Sequence, residues 1–491
     1  MRRGLVMAAL AAMTLAGWGA AERPKLILHM DFNTAQRTKA AVVTLLREAA
    51  AMGYNAVLWE IEDKVRWNLP EIAAPDAFSK DEFREILAEA DRLGLEPIPL
   101  LQVFGHGEYV LSKKPYVGLR ERAGEPDCYC VSKPETFEFQ QRMIAEYLDL
   151  FGSKVRWFHL GGDEAYGFGK CEMCAKRDRM DLYLWHLNRV AAILERKGIR
   201  AGVWHDMICG DTWWTRGDAF DPAKASRKYL VWMWDYQIGY VSQKEPTYAG
   251  KIPLLRKLGF DIVFAGSSSS YLDGAFLPGM KHHRLNLAWG AAEARRQKFA
   301  GFCVTSWTIR QHLRQMQMPL FRFAAKRYLD PAEDIAADWQ RALDASAGIG
   351  LSADELDVAT EWGVLLTRLD GRAFSIYKDA SVPTQADFRK TLATQRTAGC
   401  IPSEESLKPI FAALRKGMAK GAGVWKDAYA LQYATLDAIN CAVRDREVSP
   451  LPTAEAVKYL AHEQTSFSAT NSAAITWGFF PQNTKSAIEN R

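Results

Sequence analysis

The chain has 491 residues, 48% hydrophobic and 25% charged, with a formal net charge of +5. This is ordinary globular composition, long enough to bury a large core and to form one large domain with a smaller companion, or up to about three domains. The basic residues are dispersed and form no dense run, which excludes the usual signature of a nucleic-acid partner.

The chain opens with a positive segment, Met1 to Gly4, followed by an apolar stretch from Leu5 to Gly17 and small residues at Gly19-Ala20-Ala21. The pattern predicts a signal peptide over residues 1–21 and an exported mature protein, periplasmic or secreted. The competing reading is an uncleaved anchor helix. No cysteine ends the apolar stretch, which argues against a lipoprotein. No later segment reaches the ~18 continuous apolar residues of a membrane helix, so no membrane association is expected after cleavage.

Short apolar runs then alternate with helical stretches. Strand signals lie at 25–32 (KLILHMDF), 55–62 (NAVLWEIE), 96–103 (EPIPLLQV), 156–164 (RWFHLGGDE), 200–207 (RAGVWHDM), 229–236 (YLVWMWDY), 261–268 (DIVFAGSS) and 301–308 (GFCVTSWT). Helical spacing, often ended by glycine, marks 39–53, 81–94, 135–152 and 178–198, with further helices between the last three strands. Eight such repeats predict an α/β fold, a (β/α)8 TIM barrel over residues 22–330. An open doubly wound sheet is the alternative, but no glycine-rich phosphate turn follows the first strand. From 331 to 491 the periodicity is helical, predicting an α-helical C-terminal domain, and 465–491 is polar and patternless.

Chemistry in such barrels sits at the C-terminal ends of the strands. Those ends carry Asp31, Glu60 with Glu62, His106 between two glycines, Asp163-Glu164, Trp204-His205-Asp206, Trp234-Asp235-Tyr236, the SSSSYLDG stretch with Tyr271 and Asp273, and Trp307. Glu60 and Glu62 are two apart and are expected on one face. Any one of these residues has a structural explanation. Their concentration at one rim suits a sugar, because carboxylates bind hydroxyls and move protons while indoles cover the apolar face of a pyranose. The set His106, Asp163, Glu164, His205 and Asp206 also has metal-ligand chemistry. Adjacent residues on a strand face opposite sides, however, so no catalytic metal is expected.

The motif FHLGGDEAY (158–166) resembles the His-x-Gly-Gly-Asp-Glu signature of glycoside hydrolase family 20, the β-N-acetylhexosaminidases, and within it the hexosaminidase D-like branch. LWEIEDK (58–64), PLLQVFGH (99–106), VWHDM (203–207), HHRLNLAW (282–289) and TSWTIRQH (305–312) extend the resemblance in order over about residues 25–330. The resemblance implies substrate-assisted retaining catalysis without a cofactor, in which the 2-acetamido oxygen of the substrate attacks the anomeric carbon and closes an oxazolinium ring. It maps the general acid onto Glu164 and the acetamide-orienting acid onto Asp163. A raised pKa is then expected for Glu164, and separate surroundings for the two acids through strand alternation. His106 is implied in the acid network or on the sugar, Trp307 as a wall of the sugar subsite, and Trp204 and Trp234 around the acetamide. Tyr271 or Tyr236 is implied at the acetamide oxygen, with Tyr271 preferred, Asp31, Glu60 and Asp273 as hydroxyl binders, and Asp206 among the substrate-binding residues.

Three departures from better-known members leave the choice between gluco and galacto sugars open. No α/β domain precedes the barrel, no arginine directly follows the first-strand aspartate, and the last strand lacks Trp-x-Glu. The expected partner is a glycan or amino-sugar glycoside, and a homodimer through the helical region stays open. Two other functions compete: a retaining glycosidase of altered sugar specificity, and a non-catalytic glycan-binding protein. The second has no need of a proton donor such as Glu164.

Cys128 and Cys130 precede the third helix, and Cys171 and Cys174 follow the fourth strand. The two pairs fall on adjacent loops. Disulfides, a structural zinc and free thiols are all compatible with that spacing. Cys209 and Cys303 are expected as buried thiols, and Cys400 and Cys441 as a potential pair.

Overall fold

Continuous apolar runs bounded by glycine are what a parallel strand covered on both faces requires. In the computed structural model eight of them close into one barrel: β1 (Lys25–Asp31), β2 (Ala56–Glu60), β3 (Glu96–Leu100), β4 (Trp157–His159), β5 (Arg200–Trp204), β6 (Leu230–Trp234), β7 (Asp261–Ser269) and β8 (Gly301–Ser306). Every neighbouring pair is parallel and consecutive in sequence, and β1 closes the ring on β8 with Lys25 opposite Gly301. The structure describes residues 24–463, apart from 34–35, 211–214, 216–219, 239–247, 271–272, 308–311, 362–374, 377–389, 391, 395, 398–400 and 447–451, together with 475–476. The predicted signal peptide, Tyr271 and Cys400 lie outside the described residues.

Alternation divides the strands between two cores. Ile27, Leu58, Ile98, Trp157, Trp204, Trp232, Val263 and Cys303 fill the barrel interior, while Leu26, Leu28, Val57 and Trp59 face the surrounding helices. Those helices are α1 (Lys39–Met52), α2 (Lys80–Arg92), α3 (Pro134–Phe151), α4 (Arg179–Glu195), α5 (Ile252–Lys257), α6 (Met280–Arg296) and α7 (Arg314–Leu329). Thr38 caps α1 at Ala41 N–H, and Ser79 with Glu82 forms a capping box on α2. Among the described residues, the β5–β6 connection carries only short turns, at Asp206–Cys209 and Pro222–Lys224.

The strands stop before the rim residues do. β4 ends at His159, five residues short of Glu164, because Gly161 and Gly162 take φ of 63° and 89° and turn the chain out of the ladder. Gly161 is required twice over, since a Cβ there would lie 1.8 Å from the Gln102 amide oxygen.

Helices follow the barrel: α8 (Ile335–Asp344), α9 (Ala353–Thr360), α10 (Glu404–Lys420), α11 (Val424–Val443) and α12 (Thr453–Leu460). They share one continuous apolar core with the barrel's outer layer. Polar side chains of this region also satisfy backbone groups of the barrel. Gln432 accepts from the Phe276 and Leu277 N–H groups at 2.8 and 3.2 Å, Thr360 from Met280 N–H at 3.1 Å, and Glu463 from Arg314 N–H at 2.6 Å. No described helix is long and apolar enough to cross a membrane.

Candidate active site

His106 follows β3 in a left-handed conformation, φ 51°, and Glu164 follows β4 in another, φ 43°. Gly105 lets the two loops close up, since a Cβ there would meet the Asp163 carbonyl at 2.9 Å. The result is one cluster: His106 Nε2 lies 3.5 Å from Asp163 Oδ2 and 3.6 Å from Glu164 Oε2. The side chains of His106 and Glu164 are 31% and 30% exposed and that of Asp163 is 9% exposed, so the first two stand at the mouth and Asp163 beneath them.

This arrangement overturns two expectations. Strand alternation does not separate the acids, because the chain has left strand geometry before it reaches them, and both converge on one imidazole. Nor is Glu164 raised. Burial pushes its carboxyl up, but the His106 hydrogen bond and charge, with a bond from the Tyr166 hydroxyl, outweigh burial and hold it below its ordinary value. His106 responds in the opposite sense. Burial lowers it, but Asp163 and Glu164 together carry it well above the ordinary histidine range. Tyr166 escaped the sequence reading of roles, although it stands in the DEAY motif itself.

Asp206 is fully buried under this cluster, and its Oδ2 accepts the Glu164 backbone N–H at 2.9 Å. Burial and the neighbouring Asp163 charge raise its pKa well above the carboxylate range. Asp206, expected among the substrate-binding residues, supports the Glu164 backbone and is closed off from solvent.

An aromatic wall stands beyond β6 and β8. Trp307 Nε1 donates to the Tyr236 hydroxyl at 2.8 Å, and Trp234 stacks on Tyr236 at 5.6 Å with 25° between the rings. His29 meets the Trp307 ring edge-on at 4.8 Å. Trp234 and Trp307 are half-buried, but Trp204 is fully buried among Trp232, His159 and Trp307. Trp204 backs the wall and presents no face to a ligand, contrary to its expected place around the acetamide. Tyr271 lies outside the described residues.

The remaining carboxylates are committed to protein partners. Glu60, 1% exposed, faces His29 Nε2 at 3.1 Å and accepts from Gln102 Nε2 at 3.1 Å. His29 Nδ1 in turn takes the Ser306 N–H at 3.3 Å, which assigns the ring proton to Nε2 and makes it a donor to Glu60. Burial raises the Glu60 pKa, with His29 opposing and the Asp31 and Asp163 charges adding to the rise. Glu62 does not join Glu60. Its φ of 39° breaks the alternation, and it accepts from Asn33 Nδ2 at 3.0 Å. Asp31, 3% exposed, accepts the Asn33 N–H at 2.7 Å.

Asp273 is also buried. It meets His283 Nε2 through both oxygens, at 2.8 and 2.9 Å, and accepts the Ser270 and Gly279 N–H groups at 2.7 and 2.9 Å. Burial pushes its carboxyl up, but His283 and these bonds hold it far below its ordinary value. Asp273, expected as a hydroxyl binder, clamps its own loop, and Asp31 and Glu60 are likewise buried against protein partners. Arg37 was missed by the sequence reading. It is buried six residues after Asp31, feels the Asp31 charge, and lies 3.6 Å from Glu463 in the helical region.

Three of the four loop cysteines come together. Cys130 Sγ lies 3.5 Å from Cys171 Sγ and 3.7 Å from Cys174 Sγ, and all three thiols are free. These separations far exceed the ~2.05 Å of a disulfide. Cys128 is buried outside this group, and the fourth member is Glu121. Cys209 and Cys303 are buried, as expected.

Comparison with known proteins places the same residues in one family. The model of the glycosyl hydrolase family 20 catalytic domain matches residues 26–314. The chain is 27% identical over 301 residues to hexosaminidase D of Bos taurus, covering 58% of this chain and 85% of the relative. It is 27% identical over 304 residues to hexosaminidase D of Homo sapiens, where the match spans 58% of this chain and only 60% of the relative's length. The β-N-acetylhexosaminidase of Bacteroides fragilis NCTC 9343 has a similar fold, with TM-score 0.52 and 18% identity over 66% of this chain and 69% of that one. The family match runs from β1 into α7 and includes the His106, Asp163 and Glu164 cluster, and the chain belongs to glycosyl hydrolase family 20.

Proposed function

We propose that the chain removes terminal N-acetylglucosamine or N-acetylgalactosamine from β-glycosides by substrate-assisted retaining catalysis. The family supplies the coarser statement, a glycoside hydrolase that releases N-acetylhexosamine. The observation that carries the finer reading is the convergence of Asp163 and Glu164 on His106 beside the wall of Trp234, Tyr236 and Trp307.

In this mechanism Glu164 gives its proton to the glycosidic oxygen as the bond from that oxygen to C1 breaks. The acetamide oxygen attacks C1 from the opposite face. Asp163 accepts the acetamide N–H and balances the positive charge of the ring that forms. Water then attacks C1, Glu164 takes a proton from it, and the ring opens to product with retained configuration. Glu164 is ionised more readily than usual in the free site, so the proton must be taken up with the substrate. A sugar that strips water from the mouth favours the neutral acid and supports that uptake. Trp234 and Trp307 stack on the sugar and acetamide, and both Tyr236 and Tyr271 stay in the proposal for the acetamide oxygen. We also propose export by the N-terminal signal, and the division into a catalytic barrel over 22–330 and a helical domain from 331.

The test compares aryl N-acetyl-β-glucosaminide and galactosaminide with the matching aryl glycosides that lack the acetamide. Hydrolysis only of the first pair is expected, with a fall of about 10²–10⁴ in Glu164→Gln. Equal hydrolysis of both pairs points instead to a glycosidase of altered specificity. A folded protein inactive on all of them sinks the proposal.

A further inference from the structure

Three thiols and a carboxylate meet outside the sugar site, and the glycosidase reaction makes no use of them. Glu121, Cys130, Cys171 and Cys174 each bring one ligand atom to the cluster, and all four atoms lie within 4.8 Å of one another. Glu121, Cys130 and Cys174 are buried and Cys171 is half-buried, so this is no exposed acidic patch. We propose that these four side chains form a tetrahedral zinc site.

The geometry matches the ion. Zinc binds thiolate sulfur at about 2.3 Å, and the edge of a regular tetrahedron is about 1.63 times its centre-to-corner distance, so neighbouring sulfurs should stand about 3.8 Å apart. Cys130 Sγ stands 3.5 and 3.7 Å from the Cys171 and Cys174 sulfurs, and Glu121 Oε2 is 3.3 Å from Cys174 Sγ. A disulfide uses two sulfurs and would leave the third thiol and the buried carboxylate facing it; a zinc ion uses all four ligands.

The surroundings orient the ligands as a metal site requires. Glu121 Oε1 accepts the Lys170 and Cys171 N–H groups at 2.7 and 2.9 Å, which fixes the carboxylate and leaves Oε2 turned to the sulfurs. The Cys174 N–H points to Cys171 Sγ at 3.4 Å, and Ser132 Oγ lies 3.1 Å from Cys174 Sγ. The pattern C-x-x-C, Cys171 to Cys174, supplies two ligands from one tight turn.

The site joins two active-site connections. Glu121 lies on a two-stranded ribbon, Arg120–Arg122 paired with Glu125–Tyr129, and Cys130 follows it directly. Both belong to the β3–α3 connection that also carries His106. Cys171 and Cys174 belong to the β4–α4 connection that carries Glu164. A bound ion therefore ties together the two loops on which His106 and Glu164 meet.

The test is metal analysis of the full chain purified without chelator, followed by chelator competition and cobalt replacement. One zinc per chain is expected, and cobalt should give the intense near-ultraviolet charge-transfer absorption of thiolate ligation. Cys130→Ser and Cys174→Ser should lose the metal and Cys128→Ala should keep it. Glu121→Gln should retain zinc at least about tenfold less well against chelator. Chelation should lower the melting temperature of the wild type. Folded wild type that takes up no zinc overturns the proposal, as does iron in its place. An intact mass showing a Cys130–Cys171 or Cys171–Cys174 disulfide in the presence of zinc, or equal zinc loss in Cys128→Ala, also overturns it. If a serine variant fails to fold, the wild-type cobalt spectrum decides alone.

Discussion

Replacing His106 by Asn tests the electrostatics of the acid pair directly. Asn is the choice because residue 106 has φ 51°, a region that Asn tolerates better than most side chains. At 3.6 Å from Glu164, an imidazolium charge is worth 332/(εr), about 5 kcal/mol at an effective dielectric of ~20 and about 1 kcal/mol in water. Both side chains are nearly a third exposed, which puts the interaction toward the lower figure, on the order of 1–2 kcal/mol. That corresponds to about one pKa unit. Glu164 must be protonated to act as the acid, so activity falls as pH rises through its pKa. Removing the His106 charge raises that pKa and moves the alkaline limb of the kcat/KM profile upward by about one unit. The assay is the pH profile of aryl N-acetyl-β-glucosaminide hydrolysis by folded variant and wild type. The position of the alkaline limb is the readout, since its height also changes if His106 touches the sugar. An alkaline limb that stays in place, or moves to lower pH, refutes the reasoning.

Asp206→Asn should retain activity because it keeps an acceptor for the Glu164 N–H, whereas Asp206→Ala should lose activity and about 1–3 kcal/mol of stability. The folded-state pKa of Asp206 is raised, so its neutral form is favoured on folding, and wild-type stability declines as pH rises above the unfolded value of about 3.9. Asp206→Asn should remove that part of the decline, as read by denaturant unfolding across the acid-to-neutral range; an unchanged slope would count against a buried neutral acid. Asp273→Asn should cost about 3–5 kcal/mol by stranding His283. Asp273 has a depressed folded-state pKa, so its contribution is present above about pH 3.9 and lost only as pH falls further. The deficit of the variant should therefore shrink in strong acid, and an equal deficit at neutral and strongly acid pH would exclude the ion pair as its source.

The barrel was legible because a parallel strand buried on both faces leaves an uninterrupted apolar run, and all eight were visible in order. The ends of the strands were not. The run through Leu160 and the rim acids looks strand-like to Glu164, but the ladder closes at His159. Left-handed backbone at Glu62 and Glu164 leaves no mark in residue type, so alternation mispredicted how those side chains face. Burial was equally hidden. Asp206, Asp273 and Trp204 sit at the expected chain positions, but the sequence does not reveal that each is closed off by neighbours from other elements. Glu121 was missed because it stands in Arg-Glu-Arg, which looks like a solvated charge run. Arg37 and Glu463 are 426 positions apart, a contact no local pattern encodes.

The same departure from strand geometry explains why this rim can hold an acid pair at all. Of the five described non-glycine residues with positive φ, three stand at the rim: Glu62, His106 and Glu164. Each such conformation costs on the order of 1–3 kcal/mol and persists only where its surroundings fix it. Asp206 fixes Glu164 by taking its N–H from below, and Gly105 fixes His106 by admitting the Asp163 carbonyl against its backbone. Regular strand geometry would relieve the strain but would send Asp163 and Glu164 to opposite sides, leaving one of them without His106. The strain is thus the condition for two neighbouring carboxylates to share one cation. That cation lowers the free acid's pKa, and a substrate that excludes water must reverse this effect before a proton can be delivered.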